Sequence, residues 1–300
     1  MEFTAVTLDD YDRIYAYTSA FGEGSCQHSP VSMFSLKEKY DDRICEGDGF
    51  LFTLRSGLCD DTYRVYLAPL GDGDERLAYE NIFSDAAEHG KKVLFSTLTE
   101  SCAERLEELY PGRFEITEDR DFAEYIYAAS SMGTFAGGKL ANRRAEVHRF
   151  HNIYGERAVV SRMTKEDIPE AREFEAQWVE ENKETNDENT LLKEQRMIEK
   201  QLDYFDELRL LGAVLRIDGE MKGFCYGTML NDLFYDVIVE KGVRSVPHVY
   251  KVIRKESTRL LVPTEGFVNM EEDVGEQGLR FIKSAYKPAY LLRKFNAREK

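Results

Sequence analysis

Proline and glycine are scarce in this chain of 300 residues, with 7 and 21 respectively, which leaves little room for long disordered stretches. The five cysteines, Cys26, Cys45, Cys59, Cys102 and Cys225, are odd in number and include no Cys-x-x-Cys pair. That excludes a simple disulfide framework and points to reduced thiols and a cytoplasmic protein. Cys225 lies in an apolar run and reads as a small core residue. No segment approaches the roughly 18 apolar residues of a spanning helix, and the opening MEFTAVTLDDYDRIYAY lacks the basic start of a signal peptide. A P-loop and a Gly-x-Ser-x-Gly elbow are both missing. His148 and His151 form an i, i+3 pair without a cysteine or acid partner, so no metal site is expected. Basic charge is also short: 40 Lys and Arg against 56 Asp and Glu give a net charge of −16. Such a field repels nucleic acid and anionic membrane at long range, so DNA is not an expected partner and any polyanion must meet a local basic patch.

Apolar residues make up 42% of the chain, with 18 Phe and 17 Tyr. That is enough for sizeable cores, and the length suits two domains of about 150 residues. In the first half, Gly49 to Leu54, Tyr63 to Leu67, Lys92 to Ser96 and Arg113 to Thr117 read as strands. A helix from Glu75 to His89 stops at Gly90, and Thr99 caps a second helix running to Leu109. The stretch SSMGTFAGGKLANRRAEVHRFHNIYGERA gathers basic residues, with Arg144, His148 and His151 on one helical face.

In the second half, Ala158 to Met163 is a strand. Thr164 and Asp167 form a capping box for a helix with Pro169 in its first turn. A second helix covers Glu188 to Leu208. The strands Gly212 to Ile217, Lys222 to Leu230 and Leu233 to Glu240 follow, joined by Asp218-Gly219 and Asn231-Asp232 turns. A helix from Val246 to Leu261, a strand from Gly266 to Met270, a helix from Glu276 to Ala285 and a closing strand YLLRKF complete the series. Strand, helix, helix, three meandering strands, helix, strand, helix, strand is the order of a GNAT acyltransferase fold. The helix start after Glu240 is where that fold receives a phosphate-bearing donor. Arg244 in that loop could meet a phosphate. Pro247 stands where the usual loop has glycine and has no N–H to offer, which disfavours coenzyme A.

Three segments carry a resemblance over nearly the whole chain: EYIYAASSMGTFAGGKLANRRAEVHRF, DVIVEKGVRSVPHVY and GFVNMEEDVGEQGLRFIKSAYKPAYLLRKF. They are similar to the bacterial family related to the C-terminal catalytic domain of phosphatidylglycerol lysyltransferase. The chain departs from the family pattern at Ala145-Glu146, where the family has Asn-His, at Met270 for Arg, and at Gly242 for Ala. The resemblance implies an α/β (α+β) chain of two tandem GNAT-like domains, 1–155 and 156–300, each a mixed central sheet flanked by helices. It also implies transfer of an acyl or aminoacyl group to a small amine or hydroxyl acceptor, with aminoacyl-tRNA or acyl-CoA as donor and local contact with a tRNA acceptor end.

GNAT transfer needs a proton taken from the acceptor, a stabilised carbonyl oxygen and a protonated leaving group. Glu240, at a strand end, suits a general base or amine binder, or else pairs with Lys241 or another basic neighbour. Tyr286, after the last helix, suits a general acid, or else packs beside Pro288. Asn269, Glu271 and Asp273 could clasp an α-amine, or Asp273 could cap the next helix. Arg280, Lys283 and Arg144 could each hold a carboxylate or phosphate, or pair with local acids. The C-terminal group is expected on one side of a pocket between the halves. The alternative from another functional class is a non-catalytic small-ligand-binding protein on the same fold.

Overall fold

The computed structural model describes residues 1–183 and 187–300. Through residue 118 the strands are β1 (Thr4–Ala5), β2 (Asp42–Gly47), β3 (Phe50–Arg55), β4 (Tyr63–Tyr66), β5 (Leu70–Gly71), β6 (Lys92–Leu98) and β7 (Phe114–Glu118). The helices are α1 (Tyr11–Phe21), α2 (Pro30–Ser35), α3 (Lys37–Tyr40), α4 (Glu75–Glu88) and α5 (Glu100–Leu109). Next come β8 (Glu124–Ala128), α6 (Ala129–Met132), α7 (Ala141–Tyr154) and β9 (Ala158–Arg162). They are followed by α8 (Ile168–Asn182), α9 (Glu188–Asp203), β10 (Leu211–Ile217), β11 (Glu220–Met229), β12 (Phe234–Gly242) and α10 (Val249–Leu261). The chain ends with β13 (Phe267–Asn269), α11 (Gln277–Ala285), β14 (Tyr290–Leu292) and β15 (Phe295–Glu299).

Local chemistry sets many of these boundaries. The Asp74 carboxylate accepts from the Leu77 N–H at the start of α4, and Thr99 accepts from the Cys102 N–H at the start of α5. Each satisfies an amide that the helix itself leaves unpaired. Asp218 and Gly219, at φ 54 and 88, form the left-handed turn between β10 and β11. Asp187 caps α9 through the Thr190 N–H.

Two mixed sheets result. The first has the order β1-β2-β3-β4-β6-β15-β7, with β5 beside β3, and the second β14-β8-β13-β12-β11-β10-β9. The place between the fifth strand and the edge is filled in each by a strand from the other stretch of sequence. After edge strand β7 the chain supplies β8 to sheet two, and after edge strand β14 it supplies β15 to sheet one. The segment YLLRKF, expected as one closing strand, therefore divides: Tyr290–Leu292 is β14 and Phe295 begins β15. The apolar start Tyr290–Leu292 says that the segment pairs, but not with which sheet.

The described residues form two compact units. Unit one holds Met1–Tyr125, Glu272–Arg280 and Leu291–Lys300, and unit two holds Ile126–Glu271 and Phe281–Tyr290. The expected division at 155/156 falls inside unit two, between α7 and β9, because α6 and α7 pack on α10 and β8 pairs β13. Unit one buries Phe52, Leu54, Tyr66, Tyr79, Phe95 and Phe114 in one core. In it Tyr79 and Phe95 meet edge to face, with ring centroids 5.5 Å apart. Unit two buries Val214, Leu215, Phe224, Tyr226, Tyr235 and Ile253. Among the described residues no helix is long and apolar enough to cross a membrane.

The parallel pair in the middle of sheet two positions the site. β12 pairs β13 only from Phe234 to Asp236, then runs on to Gly242 without it. On its other side, Tyr226 pairs Val239 and Gly227 pairs Val237, so Ile238 is an extra, bulged residue. Gly227 permits this: a Cβ there would lie 1.7 Å from the Asp236 carbonyl oxygen.

Candidate active site

Side chains alternate along the free end of β12, and Glu240 and Lys241 accordingly have separate partners. Glu240 accepts two bonds from the Arg254 guanidinium, at 2.5 and 3.0 Å, with both side chains about nine-tenths buried. Lys241 instead meets Glu194 at 2.9 Å and Glu175 at 3.6 Å, with its ammonium 3.6 Å from the centre of the Trp178 ring. The basic neighbour of Glu240 is thus Arg254, not Lys241.

Arg254 also lies over the Tyr286 ring, 4.3 Å from its centre, and Arg143 lies 5.2 Å away. Phe135 closes another side of that ring at 5.7 Å. Tyr286 is buried. Burial raises its pKa and the Glu240 charge adds to this, against Arg254, so the hydroxyl is a protonated donor at neutral pH. Burial opposes the charge on Arg254, yet the Glu240 carboxylate holds its pKa above the usual arginine value. Cys225, opposite Glu240 in the ladder, has its thiol pushed up to about 12 by burial and is not a nucleophile.

Lys283 and Asn269 stand in the same unit. The Lys283 ammonium donates to the Met270 carbonyl at 2.6 Å, and its own carbonyl accepts from the Tyr127 hydroxyl. Asn269 is buried at the end of β13, and its Oδ1 accepts from the Glu271 N–H at 2.8 Å, holding Glu271 in a left-handed turn at φ 55. Lys283 and Asn269 therefore brace the chain that leaves β13.

Asp273 and Arg280 belong to a different set, in unit one. The buried Asp273 carboxylate accepts from Arg280 at 2.8 and 3.0 Å, from the Tyr125 hydroxyl at 2.6 Å and from Arg120 at 3.2 Å. It also accepts from the Gly275 N–H at 3.0 Å, a turn just ahead of α11. Burial pushes its pKa up, but these donors and the Arg120 charge outweigh it and hold it well below the usual carboxylate range. Arg280 pairs with Asp121 as well, at 2.7 Å. Arg144, on α7, donates to the Phe135 and Gly137 carbonyls. Arg244 is exposed ahead of α10.

The donor loop itself offers few amides. α10 starts at Val249, after His248 in a left-handed conformation at φ 65. The Lys251 and Val252 N–H groups both turn back to the His248 carbonyl.

Arg254 is not among the residues that the sequence singles out. The signal was its place three, four and seven residues before the buried Ser257, Thr258 and Leu261, which sets it on the inward stripe. Trp178 and Glu175 were passed over as partners of Lys241, and nothing in the sequence links α8 to that strand.

The sequence pattern described as "Phosphatidylglycerol lysyltransferase, C-terminal" matches residues 19–298. The chain belongs to this family. Among solved structures, a conserved protein of unknown function from Bacteroides thetaiotaomicron is 30% identical over the full length of both chains, with a TM-score of 0.93. L-PGS from Bacillus licheniformis is 16% identical over 96% of this chain and 91% of its own, with a TM-score of 0.63. FemX is 10% identical over 100% and 98%, with a TM-score of 0.60. An uncharacterised protein of Mycoplasmoides gallisepticum is 19% identical over 171 residues, and the match spans 57% of this chain and about half, 54%, of that protein's length. The lysyltransferase-family fold is thus a pair of GNAT-like units, and the bulged, splayed strand of the second carries Glu240.

Proposed function

We propose that this member of the phosphatidylglycerol lysyltransferase family moves an acyl or aminoacyl group onto a small amine or hydroxyl acceptor. The observation that supports the reading best is the set that Glu240, on the part of β12 running free of β13, forms with Arg254 of α10 and with Tyr286 beside it. A strand with unpaired backbone on one side can receive an extended ligand by main-chain hydrogen bonds. A carboxylate fixed by a fork of two N–H bonds is held in place and can orient an acceptor N–H or O–H. In the transfer, the acceptor nitrogen or oxygen bonds to the donor carbonyl carbon and the bond from that carbon to the leaving oxygen breaks. Tyr286 gives its proton to the leaving oxygen, and the proton lost by the acceptor restores it. An ester donor such as aminoacyl-tRNA fits this better than coenzyme A, because Pro247 removes an amide from the loop that would hold a pyrophosphate.

One observation favours the second reading, a non-catalytic ligand-binding protein: the charge of Glu240 is already met by Arg254. The deciding experiment incubates the full chain with labelled aminoacyl-tRNA pools and acyl-CoA thioesters in the presence of amine and hydroxyl acceptors. Label transferred in a Tyr286-dependent manner supports the transferase. Thermal stabilisation by an acceptor, with no transfer from any donor, would establish the binding protein instead.

A further inference from the structure

Sheet one carries a bulge of its own. Between β6 and β15, Leu98 pairs Phe295 and Phe95 pairs Ala297, so Ser96 and Thr97 together oppose Asn296. In a regular strand Ser96 and Thr97 would face opposite sides. Thr97 instead takes a left-handed φ of 54, which a β-branched residue adopts only when its surroundings impose it. Its N–H is held by the Asn296 side-chain oxygen at 3.1 Å. Both residues line one cavity of about 180 Å³ in unit one.

Three polar groups at this cavity are buried and lack a hydrogen-bond partner: the Ser96 hydroxyl, the Thr97 hydroxyl and Nε of Arg55. The side chains are 8%, 5% and 2% exposed respectively. Buried polar groups are almost always satisfied, so three together call for an explanation. Asp42 stands 3.6 Å from Arg55 Nε, beyond a hydrogen bond, while the other end of the guanidinium is used by Gln27 at 2.8 Å. A second cation, Arg298, stands exposed on the rim. Against these, the one acid of the lining is Asp119, which accepts from the Asn296 amide at 2.9 Å. The rest of the wall is apolar, including Leu58, Val65, Leu94 and Phe122. A cavity of about 150 Å³ is known to hold a benzene ring, so this one has room for a ring plus a small planar head.

We infer that unit one holds a binding site for a small monocarboxylate with an apolar body, its head bound by Arg55, Ser96 and Thr97 and its body against Leu58 and Phe122. The site stands apart from the residues assigned to transfer, and its test does not depend on them.

Benzoate is the probe, with benzamide as its uncharged match and benzylamine as its cationic one, each titrated into the full-length chain by calorimetry. Benzoate should bind with one site per chain at about 1 mM or tighter, and benzamide and benzylamine at least about tenfold more weakly. Ser96→Ala, which deletes one hydroxyl of the proposed head site, should weaken benzoate by about threefold to tenfold. Leu58→Trp, at a rim position, should fill the cavity and abolish binding, while circular dichroism reports an unchanged melt. No saturable benzoate binding, equal affinity for benzamide, or binding that survives Leu58→Trp would each overturn the assignment.

Discussion

The two units share a strand order and differ in their parallel pairs. In sheet one, β4 is four residues long and pairs β6 along its whole length, Tyr63 with Lys92 through Tyr66 with Phe95. In sheet two, β12 has nine residues and only its first three pair β13. The bulge moves accordingly, lying on the fourth strand in unit two and the fifth in unit one. Both units also place an arginine, a carboxylate and a tyrosine together: Arg254, Glu240 and Tyr286 in unit two, and Arg64, Asp85 and Tyr66 in unit one. In unit one the tyrosine donates to the carboxylate at 2.5 Å and the amino terminus joins at 3.2 Å, so the carboxylate has no spare capacity. In unit two the arginine lies against the tyrosine ring and leaves the hydroxyl outside the ion pair's own bonds. One topology thus yields a closed structural knot where the fourth strand is paired along its whole length, and an open chemical group where the fourth outruns the fifth.

The largest effect that would break this comparison concerns the ion pairs. Arg254→Ala leaves Glu240 buried without its partner and should cost about 3 kcal/mol or more in urea unfolding. The double change Arg254→Ala with Glu240→Ala should recover part of that. Equal losses would mean that the pair is not coupled. Next comes the tyrosine. Tyr286→Phe should lower transfer about a hundredfold or more while stability stays within about 1 kcal/mol. Tyr66→Phe should do the reverse, destabilising by about 1–3 kcal/mol with Asp85 left short of a donor and leaving the transfer rate unchanged. A rate loss with Tyr66→Phe and none with Tyr286→Phe would place the chemistry in unit one.

Much of unit two was legible because its signals are local. The Thr164–Asp167 capping box, the Asp218-Gly219 turn and three alternating strands define it without reference to distant residues. The exchange of β8 and β15 was not legible, since EYIYA would satisfy either sheet and FNARE, the sequence of β15, has only Phe295 and Ala297 as apolar residues. Glu240 and Tyr286 are each named by fold order and motif. The residue that joins them, Arg254, required knowing which face of α10 is buried. The split of the C-terminal motif, with Asp273 and Arg280 in one unit and Asn269, Glu271 and Lys283 in the other, follows from a crossing of the chain that sequence spacing does not record.

A smaller effect separates the units by pH. Glu175 has its carboxyl pushed up to about 7, chiefly by burial and also by Glu194, against the pull of Lys241. Asp42 in unit one is pushed up to about 6 by burial against Arg55. A carboxyl raised in the folded state binds protons more tightly there than when unfolded, so stability falls as pH rises from its unfolded value, near 4.5 for Glu175, through its folded one. Glu175→Gln should therefore match the parent near pH 5 and exceed it by about 2 kcal/mol at pH 8. Asp273 has the opposite sign: lowered when folded, it contributes above its unfolded value and is lost only as pH falls below it. Denaturation at pH 5 and 8 checks the first, and a Glu175→Gln protein less stable than its parent at pH 8 would refute it.

The smallest expected effect concerns the donor, and here the two units agree for different reasons. A pyrophosphate would need free amides at the first turn of the helix that follows the fourth strand. In unit one that helix is α4, and the Asp74 carboxylate already occupies the Leu77 amide, adding a negative charge where a phosphate would sit. In unit two it is α10, where Pro247 has no N–H and the Lys251 and Val252 amides are turned to the His248 carbonyl. Arg244 is left as the one cation of that loop, exposed and screened by salt. Coenzyme A should accordingly bind no tighter than about 1 mM. At 1 mM ligand that corresponds to a stabilisation of about 0.4 kcal/mol at most, a shift of about 1 °C in a thermal melt. Pro247→Gly restores one amide and frees the backbone, and it should improve binding by less than about tenfold, because the other amides remain engaged. Calorimetry on both proteins measures this. Sub-micromolar coenzyme A binding to the parent chain would return the donor assignment to an acyl thioester and move the search for specificity from the loop to the splayed strand.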